Sequence, residues 1–317
     1  MAAAWHVEDF RGSHFGGVLQ VLETALTADA IGRSAFVRKV LLDPAFECEG
    51  APVALVGGRP VGFGLAVAPW KSAEDVSDQS RAGFITLLAV LPEYRRRGIG
   101  SSLLERCEAY LRQAGARECR ISPYPRGYFA PGVDMRAYAQ GVEFLLRRGY
   151  EIVSRPVSMA CDLTRFVEPA WLEGRHAELA AEGFTLEAYR PERIPALMHF
   201  LRREFAEDWL RFAQSAIEDI ERGESPERVF MACLGEEVVG FSHYQRERFG
   251  PIGVAEEYRG RGLGHMLMAA TLRAMRREGY QTAWFLWSDD RTADRLYRHA
   301  GFHVRRRFAV MRKVLQP

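Results

Sequence analysis

The chain has 317 residues, of which 48% are hydrophobic and 26% charged, and its formal net charge is +2. This length is enough for two domains of ordinary size, each with its own core. The nearly balanced charge argues against a polyanionic partner, and no apolar run approaches the roughly 18 residues that a membrane span needs. The composition therefore predicts a globular protein of the cytoplasm, with neither nucleic acid nor membrane as its partner.

The five cysteines occur singly, with no C-x-x-C pair. An odd, dispersed set is typical of reduced thiols rather than of disulfides or a zinc site, so we expect no metal. All but three of the 43 basic residues are arginines. An arginine-rich motif is therefore less informative here than in most chains.

The first half begins with predicted strands and continues with alternating helix and strand. Three apolar runs predict strands: PVALVGG, PVGFGLAVA and GFITLLAV. A helix follows, with Ile99, Leu103, Cys107 and Leu111 at helical spacing. A short strand near 119–122 and a helix at 137–148 complete this half.

The second half follows the same pattern. The predicted elements are a strand (FTLEAYR), a helical region at 191–223, a hairpin (VFMACLG and EVVGFSHYQ), a strand (FGPIGVA), a helix from Gly262 to about Gly279, a strand (TAWFLW), a short helix at 290–300 and closing strands (GFHVRRRFAVMRKV). Early strands followed by alternating strand and helix indicate an α/β or α+β sheet domain.

The two halves are copies of one unit. The phrase YRRRGIG at 94–100 matches YRGRGLG at 258–264, and further on Gly149, Arg155 and Met159 match Gly301, Arg307 and Met311. The offsets, 164 and 152, differ by 12 residues, and the stretch SPYPRGYFAPGVD (122–134) is the obvious insertion. We predict tandem domains at 1–163 and 184–317, joined by a linker at 164–183.

Each glycine phrase stands where a strand ends and a helix begins. Backbone N–H groups at a helix start lack internal partners, and the helix dipole adds positive charge there, so a phosphate fits well. Neither phrase satisfies the dinucleotide fingerprint G-x-G-x-x-G, because no glycine stands at its last position, and neither has the Gly-Lys-Ser/Thr of a P-loop. What remains is R-x-x-G-x-G, at Arg95–Gly100 and Arg259–Gly264.

These residues resemble the GNAT family of acyl-CoA-dependent acetyltransferases, whose R/Q-x-x-G-x-G/A loop holds the coenzyme A pyrophosphate. A later family signature, roughly N-x-x-A-x-x-L-Y-x-x-x-G-F, is matched by Asp290, Ala293, Leu296, Tyr297, Gly301 and Phe302, with aspartate in place of asparagine. The resemblance covers nearly the whole chain as two tandem units, in a layout similar to that of mycothiol synthase. It implies in each unit a mixed, mostly antiparallel sheet flanked by helices.

The resemblance also implies acetyl-CoA as co-substrate and a primary amine, of a small molecule or a peptide N-terminus, as acceptor. The cofactor-binding residues that it implies are Val254, Arg259, Gly260, Arg261, Gly262, Leu263, Gly264 and Asp290 in the second half, and Val90, Arg95, Arg96, Arg97, Gly98, Ile99 and Gly100 in the first. For the arginines, solvated charge at a helix start is the alternative role.

Two residues are candidates for catalysis. In the resemblance Tyr297 is the general acid that protonates the leaving thiolate, and a phenol with a pKa near 10 is protonated at neutral pH. His243 lies on a predicted strand and has an unperturbed pKa suited to taking the amine proton. The alternatives are a tyrosine that only packs on the sheet and an ordinary packed or exposed histidine.

The first half lacks the proton donor, since Leu145 stands where the second half has Tyr297. We therefore expect chemistry in the second half, with a first half that binds CoA structurally or has lost turnover. Tyr128 or Tyr138 could replace the missing phenol. The whole chain could instead be an acyl-CoA-binding sensor or scaffold without turnover, and it could be a monomer, as a pseudo-dimer within one chain, or a homodimer.

Overall fold

The computed structural model describes residues 4–29, 31–68, 82–205 and 207–315. The chain forms two compact units. The N-terminal unit comprises Met1–Pro156 together with Arg307–Pro317, and the C-terminal unit comprises Val157–Arg306. These bounds differ from the predicted domains at 1–163 and 184–317, because the last residues of the chain belong to the first unit.

The N-terminal unit is a mixed sheet with helices packed on it. Its elements are β1 (Trp5–Asp9), α1 (Phe15–Ala25), α2 (Arg33–Phe36), β2 (Pro52–Val56), β3 (Arg59–Val67), β4 (Ala82–Val90), α3 (Ile99–Gln113), β5 (Glu118–Ile121), β6 (Val133–Asp134), α4 (Ala139–Arg147) and β7 (Glu151–Ser154). Strands β1 to β4 pair antiparallel in sequence order, and β5 joins β4 in parallel. Helices α1 and α2 bury Val18, Leu22 and Phe36 in one apolar cluster, and α3 and α4 contribute Leu111 and Leu145 to a second.

The C-terminal unit repeats this plan. Its elements are β8 (Val157–Asp162), α5 (Trp171–Ala181), β9 (Phe184–Ala188), α6 (Ile194–Glu204), α7 (Glu207–Glu221), β10 (Val229–Leu234), β11 (Glu237–Gln245), β12 (Arg248–Val254), α8 (Leu263–Arg277), β13 (Thr282–Ser288), α9 (Asp290–Thr292) and the start of β14 (His303–Val314). A π-helical turn, Ala293–Tyr297, and a 3-10 turn, Arg298–Ala300, continue α9. Strands β9 to β12 pair antiparallel, β13 meets β12 in parallel, and β8 completes the sheet beside β13.

The last strands of the two copies are exchanged. Strand β8 ends the first copy, yet its residue Cys161 pairs with Ala283 in the C-terminal unit. The equivalent stretch of the second copy runs into the N-terminal unit, where Met311 of β14 pairs with Ile121. Pro156 separates β7 from β8, and a proline cannot donate to a strand ladder, so one continuous strand is interrupted there.

A buried ion pair holds the exchanged strand in the N-terminal unit. The Nζ of Lys313 lies 2.8 Å and 2.9 Å from the two carboxylate oxygens of Glu108, whose side chain on α3 is buried. Tyr150 donates its hydroxyl to the same carboxylate at 2.9 Å. The carboxylate is thus fully partnered, as a buried charge must be.

The predicted fold class is confirmed: both units are mixed, mostly antiparallel sheets flanked by helices. The predicted linker at 164–183 is different in character, because most of it forms α5. The buried Leu172 and Leu179 fix this helix against the C-terminal core.

Candidate functional site

Two left-handed residues, separated by one other residue, give each glycine phrase the same backbone conformation. Gly260 has φ 80° and Gly262 has φ 99°, both in the left-handed region. In the N-terminal unit Arg96 (φ 62°) and Gly98 (φ 85°) occupy the same positions. A left-handed conformation costs a non-glycine residue about 1–2 kcal/mol, so the loop geometry of the first copy is kept at a cost.

This conformation exposes a run of backbone donors. In the described part of the chain, the five N–H groups from Gly260 to Gly264 donate to no acceptor, and neither do those from Arg96 to Ser101. Successive free N–H groups in a left-handed turn form an anion-binding concavity, and the start of a long helix adds positive potential. Both loops can therefore bind a phosphate through the backbone alone. The side chains of Leu263 and Ile99 are buried and anchor the helix starts.

The arginines of the loops have partners of their own. Arg259 donates its Nε to the carbonyl of Val254 at 3.0 Å, and Arg95 makes the same bond to Val90 at 3.1 Å. These bonds tie each loop to the end of the preceding strand. Arg261 pairs with Glu182 at 3.1 Å. The guanidinium carbon of Arg97 lies 5.3 Å from the ring centroid of Tyr94.

The last glycine of each phrase, Gly264 or Gly100, has no packing reason to be glycine. A Cβ built on Gly264 would stand 3.8 Å from Leu296 and 3.9 Å from Val254, which are ordinary contacts. A Cβ on Gly100 would stand 3.8 Å from Val90. Neither glycine has a positive φ. The missing side chain therefore leaves open space beside the free N–H groups, which is what a closely held pyrophosphate requires.

The sequence analysis missed Arg175, which lies beside the second loop. Arg175, on α5, donates its Nε to the carbonyl of Arg261 at 2.6 Å, and its Cγ is 3.0 Å from where a Cβ of Gly262 would be. It was missed because it falls in the predicted linker. Leu172 and Leu179, seven residues apart, were the one apolar signal for a helix there.

In the C-terminal unit the two parallel strands that precede and follow α8 separate after a single paired position. Strands β12 and β13 pair at one position, Arg248 with Trp284, and then diverge. In the N-terminal unit β4 and β5 pair at four positions, from Ala82 to Ile85, before β4 continues without β5. Such a gap leaves backbone N–H and C=O groups along its walls without strand partners, and an extended amide-bearing ligand can use them.

Tyr297 lies at the end of the π-helical turn that follows α9. Its side chain is 7% exposed, and its ring packs 4.4 Å from that of Phe285, in an aromatic group that includes Phe249 and Phe302. Burial, with the nearby charge of Asp289, raises the pKa of the Tyr297 phenol above its ordinary value. Its hydroxyl makes no hydrogen bond within the part of the chain that the structure describes. The phenol is therefore protonated at neutral pH and free to donate.

The N-terminal unit has no equivalent phenol at this position. Leu145 is 4% exposed and belongs to the core. The hydroxyl of Tyr138 accepts a hydrogen bond from the N–H of Ala28 at 3.0 Å. In the C-terminal unit Asp289, not Asp290, caps α9, since Asp289 accepts from the N–H of Thr292. Asp290 is exposed at the first position of this helix.

His243 lies on β11 in a dry, apolar environment. It is 3% exposed, its ring stacks on Phe241 with centroids 5.4 Å apart, and its Nδ1 has no hydrogen-bond partner among the described residues. Burial, followed by the charge of Arg248, lowers its pKa from 6.5 to about 3. His243 is thus neutral at neutral pH but a weak base, which argues against the role of general base predicted for it.

This low pKa predicts that His243 makes the fold sensitive to acid. Between pH 6.5 and about 3 the unfolded chain binds a proton at this residue that the folded chain does not, so stability falls as the pH falls through this window. We expect His243→Leu to have a flatter dependence of unfolding free energy on pH below 6.5 than the wild type. Urea unfolding at pH 7 and pH 5 measures the difference, and parallel curves for the two proteins would contradict the assignment.

Two negative observations concern only residues 4–29, 31–68, 82–205 and 207–315. Within these ranges no group of three or more histidine, cysteine, aspartate or glutamate side chains could hold a metal ion. No helix within them is long and apolar enough to cross a membrane.

The sequence carries the family relationship in both halves. The acetyltransferase (GNAT) family model matches residues 25–123 and 194–302, so the chain belongs to this family. No curated protein matches the chain.

Solved structures share the tandem fold over almost the whole chain. One is the glucosamine N-acetyltransferase region of a fungal multi-domain GH3 β-N-acetylglucosaminidase (TM-score 0.78, 20% identity), which covers 99% of this chain but 38% of that one. A GCN5-related N-acetyltransferase from Sphaerobacter thermophilus has a TM-score of 0.72 at 19% identity, with 99% and 96% of the two chains covered. A tandem GNAT protein from the clavulanic acid biosynthesis pathway has a TM-score of 0.63 at 17% identity and covers 99% of both chains. At these identities the likeness concerns the fold.

Proposed function

We propose that this protein is an acyl-CoA-dependent N-acetyltransferase whose chemistry takes place in the C-terminal unit. Acetyl-CoA is the donor, and the acceptor is a primary amine of a small molecule or of a peptide N-terminus. The observation that carries the proposal is the run of N–H groups from Gly260 to Gly264 that are free within the described chain, in the loop that connects β12, one wall of the gap between β12 and β13, to α8. The amine acceptor in the description of the fungal relative supports the reaction class.

The residues of the C-terminal unit fit such a donor. The free N–H groups would hold the pyrophosphate, with Gly264 giving it room, and the diverging edges of β12 and β13 would hold the pantetheine amides. Bound acetyl-CoA supplies an acetyl thioester and, as the amine takes the acetyl group, a departing thiolate. Tyr297 would give its proton to that sulfur, because its hydroxyl is protonated and unpaired within the described chain. The amine nitrogen would lose one proton to solvent as the amide forms, and the phenol would regain a proton from solvent, so the step balances. Burial raises the pKa of the phenol, which keeps it protonated until the thiolate forms.

For the N-terminal unit we propose donor binding without turnover. Its loop has the same left-handed turn and free N–H groups, from Arg96 to Ser101, but Leu145 stands where the C-terminal unit has its phenol. Calorimetric titration with CoA tests this: two sites per chain support binding in both units, and one site restricts binding to a single unit.

Thiol release tests the reaction itself. Mixed with acetyl-CoA and panels of primary amines, the protein is expected to release CoA thiol in an amine-dependent manner. Tight CoA binding without thiol release for any amine would instead support an acyl-CoA sensor or scaffold.

The substitution Gly264→Asp separates donor binding from folding. The new Cβ meets its neighbours at ordinary contact distances, and a carboxylate in the first turn of a helix is favoured by the helix dipole, so the melting temperature should not fall. The carboxylate would stand in the proposed pyrophosphate site and repel the donor, so we expect CoA affinity to drop about tenfold or more. Gly264→Ala is the control, because the family motif accepts alanine at this position, and its CoA affinity should stay near that of the wild type. The matched variant Gly100→Asp tests the N-terminal loop in the same way, and unchanged affinity in both aspartate variants would contradict donor binding at these loops.

A further inference from the structure

Arg248 carries a charge that no carboxylate among the described residues neutralises. Its guanidinium carbon lies 4.9 Å from the ring centroid of Phe212 on α7, and within the described residues it makes no ion pair. The side chain is half-buried. By contrast, the buried Arg193 and Arg228 of the same unit each pair with two glutamates. A partly buried guanidinium is normally paired, because removing an unpaired charge from water is costly.

A second polar group without a partner lies in the same place. His243 shares a sheet face with Phe241, and the ring centroid of Phe212 is 6.4 Å from its own. Its Nδ1 is buried and makes no hydrogen bond within the described chain. Phe212 therefore touches both polar groups, and we call Phe212, His243 and Arg248 the Arg248 niche.

The Arg248 niche lies where the gap between β12 and β13 begins. Arg248 is the residue of β12 that pairs with Trp284 of β13, and beyond this pair the strands diverge. The N–H of Trp284 also donates to the carbonyl of Glu247 at 3.0 Å, so the backbone is fixed on this side of the gap. The side chain of Arg248 therefore stands beside the inner end of the gap, on the side where Phe212 and His243 lie.

We propose that the acceptor of the C-terminal unit is an amine that also bears an anionic group, a carboxylate or a phosphate, and that this group pairs with Arg248. The inference depends on the proposed function and narrows its substrate class. A planar guanidinium binds either anion bidentately, and the ring of Phe212 covers a face of the guanidinium while leaving its N–H edges available. Acceptors with several positive charges are disfavoured, since a second cation would face Arg248 with no carboxylate between them. His243 adds one neutral hydrogen-bonding nitrogen for the acceptor.

Matched acceptor pairs test the inference through thiol release from acetyl-CoA. The pairs are amino acids with their amides, and aminoalkyl phosphates with the corresponding amino alcohols. We expect the acidic member of at least one set to have a kcat/KM about tenfold or more above its neutral partner, the size expected of a charge-assisted hydrogen bond. The set with the larger ratio of acidic to neutral kcat/KM identifies the anion as a carboxylate or a phosphate.

Variants assign the preference to this residue. Arg248→Gln should remove the preference by lowering kcat/KM for the acidic acceptors more than for their neutral partners, and Arg248→Lys should retain part of it. The control Arg246→Gln removes an exposed charge two residues away and should leave the ratio unaltered. Melting curves of each variant exclude unfolding as the cause.

Three results would overturn the inference. The first is an equal kcat/KM for acidic and neutral acceptors while acetyl transfer still takes place. The second is a preference for acidic acceptors that is unchanged in Arg248→Gln. If CoA binds and no amine in the panel releases thiol, the proposed function fails, and the acceptor assignment fails with it.

Discussion

The substitution Tyr297→Phe is expected to lower turnover about 100-fold while changing CoA affinity by less than about twofold. Phenylalanine keeps the ring among Phe249, Phe285 and Phe302, so the fold should be unaffected. What is lost is the proton that, in the proposed mechanism, Tyr297 gives to the departing thiolate. Single-turnover thiol release, together with calorimetric titration of CoA, separates the chemical step from donor binding.

A matched control is available in the same unit. Tyr280→Phe removes another half-buried phenol and should leave turnover near that of the wild type. If Tyr297→Phe also turns over at the wild-type rate, Tyr297 has no part in the mechanism and merely packs against the sheet.

Deletion of residues 307–317 is expected to unfold the N-terminal unit and to spare the C-terminal one. The deleted strand carries Val310, Met311 and Leu315, which are buried. Burial of such side chains is worth about 1.5–3 kcal/mol each, a sum comparable with the whole stability of an ordinary domain, about 5–15 kcal/mol. The deletion also removes Lys313 and leaves the buried carboxylate of Glu108 without that cation.

Hydrogen exchange followed by mass spectrometry measures this effect region by region. We expect amides of β2 to β5 to lose protection while those of β10 to β13 keep it. A synthetic peptide of residues 307–317 should restore protection, and the same peptide with Met311→Asp should not. Retained protection of β5 in the truncated chain would show that the exchanged strand is dispensable.

Much of this architecture could be predicted, because its signals are local. Gly98 and Gly262, which are equivalent positions of the two copies, each indicate a left-handed turn that few other residues tolerate. The helical spacing of the apolar residues that follow indicates a helix. The strand and helix assignments of both halves are confirmed for the same reason. The short helix predicted at 290–300, which contains Tyr297, is present as α9 and the two turns that continue it.

Features that depend on partners distant in sequence could not be predicted. Met159 and Met311 stand in equivalent strands with similar patterns, and alternation indicates which face is buried but not which sheet the strand joins. The Nε bond of Arg259 depends on the orientation of a backbone carbonyl. From the sequence alone His243 would be expected to have the ordinary histidine pKa of 6.5. Its pKa is lowered because the fold buries it beside Phe212 and Phe241.

Because the closing strands of the two copies are exchanged, the gene cannot be shortened to one copy without removing a strand from the remaining sheet. A deletion that discarded the first copy up to its end would take Val157–Asp162 with it, and the copy that holds Tyr297 would lose the neighbour of β13. The C-terminal unit therefore depends on a strand encoded at the end of the first copy, whether or not the N-terminal unit has any chemistry of its own. Without that strand, one edge of β13 would be unpaired.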